Sequence, residues 1–254
     1  KIYSLLFIGI VFFLSCKKNL TVDNSTEVLS AAPPCTGNTW LEIPNYPWAS
    51  TTAFPRNIFV YQNKAYVPWK NEQKVYIYDG NSWSSINSAV PVVLSGGFCF
   101  TIGDKGYVSR GGNGAGTDLW EYNIVTNTWT QKETFPGAAR YQSASFIIAN
   151  KAYIVGGIYG SNYFREVWEY DPTDVTPWTQ KANIPNTFFA RSGSTGFSIG
   201  TKGYIACGNY KTDGSPFTLY SKTLLEYNPS TDSWTQKTNF PGPGMYSAAS
   251  FVIG

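Results

Sequence analysis

Three short segments recur in the same order along the chain, and this repeat constrains the fold more than any other feature of the sequence. The segment WTQK occurs three times, KAYIVGG has two relatives, and VWEYDP has two relatives. The copies that define these segments are Trp129–Lys132, Lys151–Gly157 and Val167–Pro172. Three landmarks that keep one order and one spacing indicate an array of equal structural units.

The repeat length points to a propeller. The landmark tryptophans recur about every 50 residues, and a fainter copy begins at Trp40, which is the spacing of β-propeller blades. Ser143–Ala149 and Lys151–Val155 are rich in β-branched and aromatic residues and predict two strands joined by a tight turn. Glu166–Tyr170 predicts a third strand, and a fourth begins at the tryptophan. No segment has an apolar period of 3.6, so we expect essentially no helix.

Three further details make the copies resemble kelch repeats. They are a Gly-Gly pair after the second strand, a tyrosine about seven residues before a tryptophan, and Pro-Gly-Xaa-Xaa-Arg before the first strand. The resemblance extends from Trp40 to the C-terminus and implies an all-β, kelch-type propeller of four-stranded antiparallel blades over residues 40–254. Two copies depart from the pattern, because Pro68-Trp69 replaces Gly-Gly in the first and Gly208-Asn209 replaces it in the fourth.

The N-terminal segment predicts export. Ile2–Leu14 is almost wholly apolar, but it is shorter than the ~20 residues that a transmembrane helix needs. An apolar segment of this length is typical of the core of a secretory signal. Phe-Leu-Ser-Cys resembles a bacterial lipobox, so we expect residues 1–16 to be a lipoprotein signal and Cys16 to be lipidated. An ordinary signal peptide and a buried strand are the alternatives. Residues 17–39 predict a flexible tether. The resulting protein would be exported and lipid-anchored in the bacterial cell envelope, at the outer membrane.

The remaining cysteines and the last residues give two smaller expectations. Cys99 and Cys207 fall in copies two apart, so we expect buried free thiols, and Cys35 has no evident partner. Ser247–Gly254 repeats the first strand of a copy together with its turn. The sequence therefore predicts a truncated propeller, with four copies and the first strand of a fifth.

Residues that recur in every copy are best explained by packing. Trp129, Trp178 and Trp234, with Tyr122, Tyr170 and Tyr227, are expected to fill the space between blades. Glu121, Glu169 and Glu226 also recur at one position. Three equivalent carboxylates in different blades do not form a catalytic pair, so we expect them to make hydrogen bonds within the scaffold.

The candidate binding residues lie where the copies differ. The loops before the first strand and between the second and third strands emerge on one face, and the latter vary most, which favours binding there. Arg140 and Arg191 precede the innermost strand, where their guanidinium groups could reach the channel mouth and recognise carboxylates or sugar hydroxyls. The alternative is a structural arginine that bonds loop carbonyls. The aromatic candidates for stacking on sugars are Tyr141, Tyr246, Tyr210 and Phe217.

The composition limits the chemistry. The chain has no histidine, which removes the two-histidine copper site of galactose oxidase, also a kelch propeller, along with Ser-His-Asp triads and histidine-based zinc sites. A net charge of +3 without a basic stripe argues against nucleic acid. We expect no metal or cofactor. The sequence predicts an envelope binding module for carbohydrate or a surface protein; the alternative is a sugar-modifying enzyme such as a kelch-type mutarotase or epimerase.

Overall fold

Four antiparallel sheets of four strands each, called blades I to IV, follow one another along the chain. The computed structural model describes residues 57–92, 96–111, 116–212, 218–248 and 250. Blade I consists of β1 to β4, and blade II of β5 to β8; their bounds are Phe59–Tyr61, Lys64–Trp69, Lys74–Tyr78, Trp83–Asn87, Cys99–Ile102, Lys105–Ser109, Leu119–Asn123 and Thr128–Lys132. The expectations for Cys16, Cys35, the signal, the tether and Phe217 lie outside the described residues.

Blades III and IV each carry an extra two-stranded hairpin. Blade III is built from Ala144–Ile148 (β9), Lys151–Val155 (β10), Val167–Tyr170 (β13) and Trp178–Lys181 (β14), and its hairpin from Ile158–Tyr159 (β11) and Asn162–Tyr163 (β12). Blade IV is built from Thr195–Ile199 (β15), Lys202–Ala206 (β16), Leu224–Asn228 (β19) and Ser233–Gln236 (β20), and its hairpin from Asn209–Tyr210 (β17) and Leu219–Tyr220 (β18). Both hairpins arise in the loop between the second and third strands.

The all-β prediction is confirmed. In the part of the chain that the structure describes, the single helical element is a 3-10 turn at Lys70–Glu72. The tight turn between β9 and β10 is formed by Ala149 and Asn150, both left-handed with φ of 50° and 60°. This backbone matches the right-handed twist of the two strands, which is why short hairpins favour it.

Adjacent blades fit together through an aromatic ring on a first strand and a small residue on the next blade's second strand. Phe59 of β1 lies against Gly106 of β6, where an added Cβ would come within 2.7 Å of the ring. Phe146 of β9 covers Gly203 of β16 in the same way. Phe100 and Ala152 share one buried cluster between blades II and III. The small residue after the lysine in KGY and KAY is thus required by the neighbouring blade.

The repeated tyrosines and tryptophans occupy different environments. Tyr122, Tyr170 and Tyr227 are fully buried, which confirms their core role. The tryptophans are only half-buried and pack on those tyrosines with ring centroids 4.7–5.0 Å apart. Each indole N–H donates to the preceding blade or the segment that follows it: Trp129 to Ser88, Trp178 to the Glu133 carbonyl and Trp234 to the Ala182 carbonyl. They therefore pack between blades as predicted, but partly buried and at the outer edge of each interface.

The repeated glutamates are scaffold residues, as predicted. The Tyr153 hydroxyl donates to Glu169 at 2.6 Å, and the Lys151 ammonium lies 3.1 Å from the same carboxylate. In blade IV the Tyr204 hydroxyl and Lys237 bind Glu226 at 2.8 and 3.0 Å. Each carboxylate thus joins neighbouring strands of its own blade.

Candidate binding site at the channel mouth

A chain of backbone hydrogen bonds links successive blades just before their innermost strands. The Gln142 N–H donates to the Gly96 carbonyl at 3.0 Å, the Gly193 N–H to Gln142 at 2.8 Å, and the Ser247 N–H to Gly193 at 2.7 Å. All four residues have left-handed backbone, with φ between 54° and 74°. Since Gln142 and Ser247 are not glycines, they adopt this conformation at a cost, and their side chains are fixed at the place where the blades meet.

A cavity of about 160 Å³ opens at this point, which we call the channel mouth. It is lined by Gly96, Gly97, Gln142, Ser143, Gly193, Ser194 and Ser247. The Ser143 hydroxyl donates to the Gly156 carbonyl at 3.1 Å, and the Ser194 hydroxyl to Cys207 at 3.0 Å. Because each hydroxyl hydrogen is already used, the serine oxygens remain as acceptors. None of these lining residues titrates near neutral pH, so the cavity offers hydrogen bonds without charge.

A buried polar network ties the blade IV hairpin to the channel mouth. Ser192 is buried, and its hydroxyl lies 2.6 Å from the Asn209 side-chain oxygen and 3.3 Å from the Gln142 side-chain oxygen. The Asn209 amide in turn reaches the Tyr163 hydroxyl at 3.5 Å. Backbone bridges join Ser192 to Asn209 and Tyr141 to Ile158. The short hairpins of blades III and IV are therefore held beside the mouth.

Arg140 turns into blade III. Its side chain is buried, and it donates from Nε to the Ala138 carbonyl at 2.9 Å and from Nη1 to Gly156 at 3.1 Å. Its Nη2 pairs with the Glu166 carboxylate, and the guanidinium lies 4.1 Å from the centre of the Phe164 ring. Burial lowers the pKa of Arg140, while Glu166 acts in the opposite direction.

Arg191 turns into blade IV and is surrounded differently. It donates from Nη1 to the Thr223 hydroxyl at 2.6 Å and contacts the Cys207 carbonyl and Ser221 at 3.4 Å. Among the described residues no carboxylate pairs with it, and burial lowers its pKa to about 10. Neither arginine lines the cavity, in agreement with the structural alternative. Ligand contact by Arg140 or Arg191 stays a prediction.

The predicted rim aromatics form two stacked pairs. Tyr210 lies on Phe189 with centroids 4.7 Å apart and planes 5° apart, and Tyr246 lies on Tyr220 at 5.3 Å and 15°. Tyr141 is half-buried, with its backbone paired to Ile158. Sequence reasoning missed Phe189, Tyr220, Gln142 and the cavity serines. One signal existed, because the loop before β15 is longer than its counterpart before β9 and adds two aromatic residues.

Positive charge exceeds negative charge around this rim. The described parts of the loops between Gly156 and Thr223 that face the mouth carry the cations Arg165, Arg191, Lys211 and Lys222. They carry one carboxylate, Glu166, which is already paired with Arg140. Asp213 lies outside the described residues. The mouth therefore combines neutral polar groups with a basic surround, which favours an acidic ligand.

The double-glycine position needs one correction. Gly156 and Gly157 have φ of 65° and 100°, and their counterparts in blade IV are Cys207 and Gly208, with φ of 62° and 96°. The predicted pair Gly208-Asn209 is therefore wrong by one residue. This backbone lets the Gly157 and Gly208 N–H groups bond the Arg191 and Met245 carbonyls of the following copy. Cys207 is buried and Cys99 half-buried, and both are free thiols as predicted.

Four-stranded blades joined side by side through their first strands define a β-propeller. The family described as Kelch motif matches residues 139–174, the stretch that spans most of blade III. Together with the repeated landmarks, this match identifies the chain as a kelch-repeat protein.

Similar proteins agree with this assignment. The chain is 26% identical to N-acetylneuraminate epimerase of Haemophilus influenzae (strain PittEE), over 65% of this chain and 52% of that protein. It is 32% identical to human Kelch-like protein 6 over 29% of this chain and 12% of that protein. The solved structure of YjhT matches with a TM-score of 0.69 and 16% identity, over 83% of this chain and 77% of that one. The chain thus spans about half the length of the epimerases that it matches.

The described residues contain neither a cluster of metal ligands nor a membrane-spanning helix. No group of three or more histidine, cysteine or acidic residues within metal-binding reach occurs in the described part of the chain. None of the helices in the described ranges has the length and apolarity needed to cross a membrane.

Proposed function

We propose that this kelch propeller is a carbohydrate-binding module of the bacterial cell envelope, with an acidic sugar as its ligand at the channel mouth. The observation that carries the proposal is the cavity that Gln142, Ser143, Ser194 and Ser247 line. An amide and several hydroxyl oxygens at fixed positions match the hydroxyl and amide groups of a sugar. A protein ligand would instead need a broad surface contact.

The charge of the rim supports an acidic sugar over a neutral one. Lys211 and Lys222 bring two cations to loops whose described parts contain one carboxylate, Glu166, which is already paired with Arg140. Arg191 adds a buried positive charge beneath them. A sugar carboxylate approaching this face would be attracted before it docks.

The epimerases named among the similar proteins support the same choice of ligand. These proteins are named for their action on N-acetylneuraminate, a carboxylated sugar. The similarity extends over about two thirds of this chain. We therefore take N-acetylneuraminate as the first ligand to test.

A sugar-modifying enzyme is the second candidate, and the same names favour it. An epimerase must move a proton or open a ring, for which it uses acids and bases. The described residues that line the cavity supply hydrogen bonds but no group with a suitable pKa. Binding without turnover is therefore the function that this geometry supports better.

The lipid anchor is part of the proposal and is supported by the sequence alone. Cys16 follows an apolar segment and precedes a polar tether, an order that would hold the propeller away from a membrane surface. Metabolic labelling with a fatty-acid analogue is expected to tag the protein and not its Cys16→Ala variant. An untagged protein with Cys16 in place would contradict the anchor.

The binding proposal is tested by calorimetric titration with N-acetylneuraminate. We expect saturable binding, weakened about tenfold or more by Gln142→Ala because a fixed polar contact is lost. Val125→Ala is the matched control, since Val125 is exposed in a turn on the opposite face. Absence of binding would overturn the proposed ligand. Following the sugar by NMR in the same sample separates the two candidates, because a new stereoisomer indicates the enzyme.

A further inference from the structure

Phe189 is a large apolar side chain in the loop before β15, and it remains 42% exposed. One of its faces is covered by Tyr210, whose ring is almost parallel to it at a centroid distance of 4.7 Å. Tyr210 belongs to β17, and its neighbour Asn209 is hydrogen-bonded to Ser192, which adjoins the cavity residue Gly193. Phe189 is therefore a supported flat ring, connected to the cavity residue Gly193 through three residues, Tyr210, Asn209 and Ser192.

Blade III offers an internal comparison. Tyr159 of β11 takes the same place in its hairpin as Tyr210 does in β17, because each is the second residue of the first short strand. Tyr159 is 47% exposed, and no ring of the described residues stacks on it. An exposed aromatic residue at this position is thus not sufficient to form a supported platform. The additional residues of the loop before β15 supply the second ring.

The small size of the cavity means that any ligand larger than one sugar ring would have to make its further contacts on the rim. About 160 Å³ is below the roughly 300–1,000 Å³ of typical ligand pockets. A cavity of this size holds at most one sugar ring, and the remainder of a longer ligand must lie on the rim. A pyranose has one face of C–H groups, which an aromatic ring covers well, and a ring that is already held in place loses little freedom on binding.

We propose that Phe189, supported by Tyr210, is a second sugar-binding subsite, so that the ligand is an oligosaccharide of at least two units. One unit with its acidic group occupies the channel mouth, and the next unit stacks on the exposed face of Phe189. This inference rests on the proposed function and adds to it the length of the ligand. It also assigns to the loop before β15 a role in selecting glycans over free monosaccharides.

The experiment compares N-acetylneuraminate with sialyllactose, in which the same sugar is joined to lactose, by calorimetric titration of the full chain. We expect sialyllactose to bind about tenfold tighter or more, in line with one additional aromatic contact. Phe189→Ala should remove this gain and leave the affinity for N-acetylneuraminate unchanged. Phe189→Tyr should keep the gain, because the ring remains. Tyr159→Ala, the matched variant in blade III, should also keep it.

The outcomes separate the two proposals. Equal affinities for both sugars, or a gain that survives Phe189→Ala, would overturn the second subsite and leave the proposed function standing. Failure of both sugars to bind would overturn the proposed function and the subsite with it. Because Phe189 is partly exposed, its alanine variant is expected to fold; circular dichroism that matches the unaltered protein verifies this. Should that variant be misfolded, Phe189→Ser gives the same test, because it also removes the ring; a gain that survives it would overturn the subsite.

Discussion

Blades III and IV place an arginine at the same position and surround it with different side chains. Arg140 lies between the Glu166 carboxylate and the Phe164 ring, whereas Arg191 meets the hydroxyls of Thr223 and Ser221 at the equivalent points. The first charge is neutralised inside the blade, and the second is only hydrogen-bonded. The two blades therefore share the backbone geometry at this position but differ in the charge of the side chains that surround the arginine. The uncompensated arginine belongs to the blade that carries the stacked aromatic rim.

The largest expected effect concerns the ion pair of blade III. Glu166→Ala leaves the Arg140 guanidinium buried without its counter-charge, and because Glu166 is 32% exposed we expect a cost of about 3 kcal/mol, the lower end for a buried pair. Thr223→Ala removes a hydrogen bond from Arg191 and is expected to cost about 1.5–3 kcal/mol. Urea unfolding of both variants measures the two free energies. Equal losses of unfolding free energy in the two variants would contradict the proposed difference between the two arginine sites.

A second comparison concerns the outer-strand tryptophans. Trp178 contacts three rings, those of Tyr170, Phe98 and Phe135, while Tyr227 is the described ring that packs on Trp234. Trp178→Ala is expected to cost about 3 kcal/mol, the lower end for a large aromatic because the side chain is half-buried. Trp234→Ala should cost about 1–2 kcal/mol less. Thermal unfolding checks the order, and a larger loss for Trp234→Ala would contradict it.

The third prediction tests the fit of one blade on the next. Gly203→Ala places a methyl group into the Phe146 ring, so the crowded interface should lose about 1–3 kcal/mol. The equivalent residue in blade III is already an alanine, Ala152, which packs in the cluster with Phe100. Ala152→Gly is the matched variant and should cost about 1 kcal/mol. The midpoints of urea unfolding of the two variants measure the difference. An unchanged midpoint for Gly203→Ala would show that the interface accommodates the added methyl group without loss of stability.

The smallest expected effect is a difference in acid sensitivity. Asp171 accepts hydrogen bonds from Thr173 and pairs with Lys151 at 3.0 Å, and these contacts lower its pKa to about 2, whereas blade IV has Asn228 there. A lowered pKa contributes stability above the unfolded value near 4 that is lost as pH falls toward 2. Asp171→Asn should remove this loss, which is at most about 1 kcal/mol because the pair is partly exposed and screened by solvent. Unfolding curves between pH 5 and 2 measure it; an unaltered pH dependence in the variant would exclude Asp171 as the source.

Local signals in the sequence were enough for the blades. The four strands of each copy follow from β-branched and aromatic runs closed by turn residues, and the scaffold roles of Glu169 and Glu226 follow from their recurrence. These features depend on neighbours in the chain or on equivalent places in the repeat. The two-residue strands of the hairpins were too short to give a periodic signal.

The site depended on partners that lie far apart in sequence. The direction of Arg140 is set by Glu166, 26 residues away, and that of Arg191 by Thr223, 32 residues away. The stack of Phe189 on Tyr210 depends likewise on the folding of strands β15 and β16, which lie between the two residues in the sequence. The cavity is formed by residues from successive copies, each of which has an ordinary local sequence. Such sites become visible only when the blades are placed side by side.

Hydrogen–deuterium exchange with and without sialyllactose tests the central claim most directly, namely that the ligand binds where the blades meet at the channel mouth. We expect slower exchange in residues 140–143, 187–194 and 245–248, which line the cavity or carry the aromatic platform. Residues 124–127 and 171–177, in turns on the opposite face, should exchange at the same rate with and without the sugar. Protection confined to those turns, or spread evenly over the blades, would contradict the account.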